Sequence, residues 1–194
     1  MQIFLLLALL FSALPAWADD CGFDAAKNED YAAALKPLTE CAEQGSPGAQ
    51  LMLAIMYDNG LGVPQDDKAA VHWYALSAKQ GLADAQGNLG LMYVKGRGMP
   101  QDYKAAVRWF TLSAKQGLAN AQYNLGVMYS SGDGVPQDYV LAHMWVNLAA
   151  SNGDNETSVK VRDALASLMT PAQIAEAQAL AQRCLTSKYK ECGR

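Results

Sequence analysis

The chain has 194 residues, four cysteines, two histidines and a formal net charge of −4. An acidic balance gives no electrostatic reason to bind nucleic acid, whose phosphates require a basic surface. The cysteine separations of 20 and 8 residues lack the close paired spacing of a zinc site, so no metal and no cofactor are expected.

The first segment, MQIFLLLALLFSALPAWADD, is apolar from Ile3 to Leu14 except for Ser12. Ala16-Trp17-Ala18 is a small-x-small cleavage site, so residues 1–18 read as a secretory signal peptide, although no Lys or Arg precedes the apolar run. The stretch is shorter than the roughly 20 residues a spanning helix needs. Export to a periplasm or to the outside is expected, with no membrane insertion after cleavage. An even cysteine count in an exported chain favours disulfides. The expected pairs are Cys21–Cys41 and Cys184–Cys192, each tying down one end of the fold.

Residues 19–29 are a short lead-in. Asp30 is placed to cap a helix over Tyr31–Gln44, in which Pro37 is expected to introduce a kink. Ser46-Pro47 opens the next helix, which runs to about Asn59. Gly60 then supplies a left-handed turn, Gly62 a close backbone approach and Pro64 a stop. Asp66 caps the following helix. The same instructions recur at Gly96/Gly98/Pro100/Asp102 and at Gly132/Gly134/Pro136/Asp138.

That recurrence is strict. Ala49–Asp66, Ala85–Asp102 and Ala121–Asp138 share ten of 18 positions at offsets of 36 residues. A fixed period of this size marks a solenoid. Between the glycine turns two helical patterns alternate. One carries Ala69/Trp73/Leu76 and then Ala105/Trp109/Leu112. The other carries Ala85/Leu89/Met92 with Tyr93. Trp73, Trp109 and Trp145 read as core. Gly90 and Gly126 allow close helix packing.

The fourth copy keeps Trp145 but loses the Leu-Gly-x-Met-Tyr signature in its second helix, about Asn155–Leu168. Thr170-Pro171-Ala172-Gln173 is a capping box that starts a final helix near Pro171–Cys184. Its Ile174, Ala177, Ala181 and Cys184 lie along one side, as a capping helix requires. The expected fold is therefore all-α: a solenoid of about four 36-residue helix-turn-helix repeats over 30–153, with capping helices and a disulfide-tied tail over 154–194.

The pattern A-x-x-W-Y-x-x-S-A-K-Q-G-x-A-x-A-Q-x-N-L-G-x-M-Y-x-x-G-x-G-x-P-Q-D in Ala70–Asp102 resembles the Sel-one-like repeat family, relatives of the tetratricopeptide repeats. The resemblance spans roughly Asp30–Gly153, and MTPAQIAEAQ at Met169–Gln178 is similar to the ending of many bacterial members. It implies a right-handed α/α superhelix whose first helices line a concave surface. It also implies a scaffold or adaptor for a protein or peptide partner. Cysteine-rich relatives are linked to β-lactam binding or hydrolysis, with cysteines recurring once per unit. In this chain Cys41 falls where Ser77 and Ser113 stand, and no cysteine recurs with the repeat.

No catalytic residue is expected. One Ser-x-x-Lys exists, Ser187–Lys190, without the companion motifs of a β-lactam hydrolase. The Gly-x-Gly turns follow helices and are turn chemistry rather than phosphate loops. His143 replaces Val71 and Val107 of the earlier copies. The surface feature with functional content is a set of cations. Lys68, His72 and Lys79 share one face of a first helix with Ala75, and Lys104, Arg108 and Lys115 take the same places one repeat later with Thr111. Such a stripe suits an acidic or C-terminal-carboxylate peptide. Asn88 and Asn124 are a second candidate, since side-chain amides can hold an extended backbone. Gln50, Gln86 and Gln122 repeat strictly and are expected to satisfy turn backbone. Asn155-Glu156-Thr157 is a glycosylation sequon, of use only in a eukaryotic source. Oligomeric state stays open.

Overall fold

The computed structural model describes residues 21–153 and 156–193. The signal-peptide expectation and Asn155 of the sequon lie outside the described residues. Ten α-helices and no strand form among the described residues: α1 Phe23–Lys27, α2 Tyr31–Glu43, α3 Pro47–Asn59, α4 Asp67–Lys79, α5 Ala83–Lys95, α6 Tyr103–Ala114, α7 Ala119–Ser131, α8 Tyr139–Asn152, α9 Glu156–Ala166 and α10 Pro171–Thr186. No helix in this region is long and apolar enough to cross a membrane.

The capping instructions act as written. Asp66, Asp102 and Asp138 accept from backbone N–H groups in the first turns of α4, α6 and α8. Each carboxylate satisfies donors that a helix start leaves free and places negative charge at the positive end of the helix dipole. Gly60, Gly96 and Gly132 close α3, α5 and α7 with φ of 69°, 64° and 81°. Thr170 and Gln173 form a reciprocal capping box at α10. Helix α2 continues through Pro37 from Tyr31 to Glu43. The proline ring packs under Gly22, where an added Cβ would come within 2.8 Å of Pro37 Cγ.

Helices joined by a Gly-x-Gly turn (α3 with α4, α5 with α6, α7 with α8) pack more extensively than those joined by the short Gln-Gly turns. A small residue near the middle of the preceding helix permits this approach. A Cβ on Gly90 would lie 2.8 Å from the Phe110 ring, and one on Gly126 would lie 2.5 Å from Val146 Cγ2. Tyr74 and Phe110 are thereby almost fully buried. Burying a large side chain of this kind contributes about 1.5–3 kcal/mol.

The second glycine of each turn joins one repeat to the one before. Gly62 lies over Tyr31 and Ala32 at the start of α2, Gly98 over Asp67 and Lys68 of α4, and Gly134 over Tyr103 and Lys104 of α6. A Cβ on Gly98 would stand 2.3 Å from the carbonyl oxygen of Asp67, and one on Gly134 would stand 2.5 Å from that of Tyr103. Two backbones touch there with no room for a side chain.

Glutamines bind the repeats through their polar interior. Gln50, Gln86 and Gln122 donate from Nε2 to the carbonyls of Ala42, Ala78 and Ala114 at 3.0–3.1 Å. Their Oε1 atoms accept from Gln80, Gln116 and Asn152 at 2.8–2.9 Å. Gln80 and Gln116 also donate to the carbonyls of Gly45 and Gly81, one repeat back. Ser77 and Ser113 donate to Pro47 and Ala83. A buried polar group left without its partner costs about 1–3 kcal/mol, so the ladder tolerates no gap. At the first repeat no earlier unit exists for a serine to reach. Cys41 stands in that register position and is bonded to Cys21.

The C-terminal end closes differently from a further repeat. Helix α10 packs on α8 rather than pairing with α9. Ala177, Leu180, Ala181 and Cys184 join Val140, Met144, Trp145 and Leu148 in one buried cluster. Ile174, expected on that face, is only half-buried. Helix α9 meets α8 on another side, through Val161 and Leu165 against Ala142 and Val146. Cys184 bonds to Cys192, turning the tail back so that the Tyr189 ring lies against Gly117 and its hydroxyl accepts from Asn152 at 2.7 Å. Two bridges of this kind contribute on the order of 2–4 kcal/mol each through loop closure.

His143 is a buried exception in α8. It is 3 % exposed, and its Nδ1 has no hydrogen-bond partner. Burial holds its pKa below the ordinary value of 6.5; the nearby Arg162 charge adds to that and Asp163 opposes it. The folded state thus keeps the ring neutral while the unfolded chain protonates near pH 6.5.

Two predictions follow from these contacts. Gly98→Ala is expected to cost about 3 kcal/mol or more, since it adds a backbone collision to left-handed strain. Gly81→Ala, with φ of +94° and nothing within 4 Å, should lose only about 1–2 kcal/mol. Equal losses in denaturant unfolding would remove the close-contact argument. For His143, stability is retained above pH 6.5 and falls as the pH drops through that value, by at most about 1.4 kcal/mol per pH unit. His143→Val, the residue of the two earlier copies, should flatten this acid slope in urea titrations.

Candidate partner-binding surface

The expected cations sit on helices fixed at both ends by an aspartate cap and a Gln-Gly turn. Lys68, His72 and Lys79 on α4, Lys104 and Arg108 on α6 and Lys115 at the C-cap of α6 are all exposed. None of the five Lys and Arg side chains shares an ion pair with another described residue. His72 meets the ring of its neighbour Trp73 edge-on, with centroids 5.0 Å apart. An apolar residue runs within the stripe: Leu76 is half-buried, while Leu112 is 48 % exposed. The surface combines uncompensated positive charge with a wet leucine.

The two asparagines are committed within the fold. Asn88 lies near the Tyr74 hydroxyl, where its amide opposes the rise in the Tyr74 pKa. Asn124 donates to the carbonyl of Asn120 in its own helix at 2.8 Å. Both are half-buried, and Asn124 would have to leave its partner to hold a peptide backbone.

An ionic cluster that the sequence reading missed lies between the first and second glycine turns. Arg97 Nη1 is 2.8 Å from Asp58 Oδ1, and its other nitrogens pair with both Asp67 oxygens. The Asp58 contact is an ion pair rather than an aligned hydrogen bond. Tyr74 donates its hydroxyl to Asp58 Oδ2 at 3.2 Å. Burial first, and then the Asp58 charge, push the Tyr74 pKa well above the ordinary phenol range. Hydrogen bonding to Asp67 raises that of Arg97. The groups are partly exposed, so the pairing contributes about 1 kcal/mol rather than a buried pair's worth. The signal was available in the repeat alignment. Only this unit carries charge at all three variable positions; the next has Val94, Tyr103 and Asp133 there.

Ser187, of the lone Ser-x-x-Lys, donates to the Cys184 carbonyl and accepts from the Glu191 N–H. Its hydroxyl is used inside the disulfide loop. Among the described residues no group of His, Cys, Asp and Glu could hold a metal ion.

Comparison with known proteins places this arrangement. The chain is similar to the crystal structure of c5321, a protective antigen of uropathogenic Escherichia coli strains displaying an SLR fold, with a TM-score of 0.76 and 34 % identity over 82 % of this chain. It is also similar to a Sel1 repeat protein from Oxalobacter formigenes, with a TM-score of 0.67 and 36 % identity over 72 % of this chain. It spans 34 % of the first chain's length and 56 % of the second's. Comparison with curated protein sequences finds no match. The Sel1 repeat model matches residues 47–82, 83–118 and 119–154. These units start at α3, α5 and α7, so each encloses one glycine turn, and the basic stripe lies on second helices rather than on first ones. Three matched units cover more than half of the sequence, and the chain therefore belongs to the Sel1 repeat family, whose repeats form a scaffold that generally mediates protein–protein interaction.

Proposed function

We propose that this protein is an exported adaptor that binds a protein or peptide partner on the helix faces its repeats leave open. The apolar first segment with its Ala-Trp-Ala site supports export. Two disulfide-bonded pairs suit an oxidising, periplasmic or extracellular setting. The resemblance drawn from the sequence points to a concave face lined by first helices, with the cations expected on those helices. In the matched units the helices that carry them, α4 and α6, are the second ones, so the exposed chemistry favours the second helices. One observation carries this reading. Residues shared by all three glycine-turn copies are consumed by packing, capping and backbone satisfaction, whereas α4 and α6 hold unpaired cations in solvent. A surface of that sign recruits acidic partners and raises their association rate.

Tagged protein expressed with its native envelope is expected to retain at least one partner by affinity capture. Lys104→Glu together with Arg108→Glu should release it. A variant that keeps every partner removes the stripe from the reading, and an empty capture with intact protein removes the adaptor itself. A chromogenic β-lactam should show no turnover; turnover lost in Ser187→Ala would replace the adaptor with a hydrolase.

A further inference from the structure

The stripe on α4 and α6 has a counterpart in the same molecule. One repeat after Lys104, Arg108 and Leu112 come Val140, Met144 and Leu148 of α8. They are 3 %, 0 % and 0 % exposed, whereas Lys104 and Arg108 are exposed and Leu112 is 48 % exposed. The difference is α10. Its Ala177, Leu180, Ala181 and Cys184 share a buried cluster with these residues. Helix α9 engages α8 elsewhere, at Ala142 and Val146. The chain therefore uses this register position once as the seat of an amphipathic helix. It closes the seat with apolar residues where its own helix is the occupant.

On α6 the same seat is open. Leu112 stands where Leu148 is covered, and Lys104, Arg108 and Lys115 surround it. On α4 the seat repeats with Leu76 among Lys68, His72 and Lys79. The backbone and the central leucine are conserved between the open and closed seats; the rim has changed from apolar to cationic. An occupant of complementary chemistry presents small and leucine side chains at i, i+3, i+4 and i+7, as α10 does, with carboxylates on either side.

We propose that the exposed face of α4 and α6 docks an amphipathic helix of a partner protein whose apolar stripe is flanked by Asp or Glu, in the manner that α10 docks on α8. This rests on the adaptor reading and adds the conformation and chemistry of the partner segment. It places recognition on the second helices of the units.

The test uses the full disulfide-bonded chain and a labelled peptide of the α10 sequence Pro171–Thr186. The peptide carries Gln178→Glu, Arg183→Glu, Leu185→Glu and Cys184→Ala, and is stapled on its outer face to hold the helix. The three glutamate positions flank the face that α10 turns to α8, Cys184→Ala keeps a small residue on that face, and Glu176 already supplies one carboxylate. Fluorescence anisotropy is expected to show binding that weakens at least about tenfold in Arg108→Glu and again in Leu112→Asp. The double variant Lys104→Glu/Arg108→Glu is expected to regain a stapled peptide with lysines at the three glutamate-substituted positions, 178, 183 and 185. All these protein side chains are exposed, and circular dichroism checks that the variants fold. Three outcomes overturn the proposal: no binding of the stapled acidic peptide, equal binding of a proline-broken peptide of the same composition, or indifference to Leu112→Asp. A concentration-dependent dimer in sedimentation that Leu112→Asp dissolves also overturns it, naming a second copy as the occupant. If affinity capture retains partners while the peptide fails, the adaptor stands and the helix seat does not.

Discussion

Each repeat is joined to the one before it by a contact between two backbones, at a point where no side chain fits. Gly62, Gly98 and Gly134 lie over the first turns of α2, α4 and α6, and a Cβ at any of them would collide with main-chain or Cβ atoms. The contact fixes how closely successive units stack. From that spacing follow the reach of Gln80 to Gly45, of Gln116 to Gly81 and of Ser77 to Pro47. Hydrogen bonds with a working range of a few tenths of an ångström require it. The interior is therefore cooperative: glycines set the distance, and the polar ladder checks it.

The ends of the solenoid show what happens when a neighbour is missing. At the first repeat Cys41 replaces the serine that would have reached back, and the covalent bond to Cys21 ties the lead-in across the open end. At the last, Asn152 replaces the glutamine and gives its amide to Gln122 and to Tyr189 from the returning tail. A stack of units that contact only neighbours needs such closures to be soluble and stable. The chain makes them with two disulfides and one helix laid on α8.

Surface chemistry is sorted by the same periodicity. Positions 104, 108 and 112 point to water in α6, and their counterparts in α8 are covered by α10. Charge survives where the face is open and disappears where it is closed, because a buried cation without a partner costs more than packing can return. The cluster of Asp58, Asp67 and Arg97 follows another logic. It arises at one junction from three variable positions that are charged together.

The sequence determined the repeat, its period, the glycine turns, the aspartate caps and the pairing of cysteines at each end. All of these depend on local conformation or on register, which a linear pattern carries. It also marked the stripe of cations on α4 and α6. The tertiary structure decided which residues touch across units: the glutamine ladder and the Arg97 ion pairs. These join residues about 30 apart or more, and no local propensity specifies them. It also decided that α10 would lie on α8 instead of pairing with α9. The loss of charge at Val140, Met144 and Leu148 was visible as letters. That it meant a covering helix depended on where the chain returned, which is a matter of packing rather than of pattern.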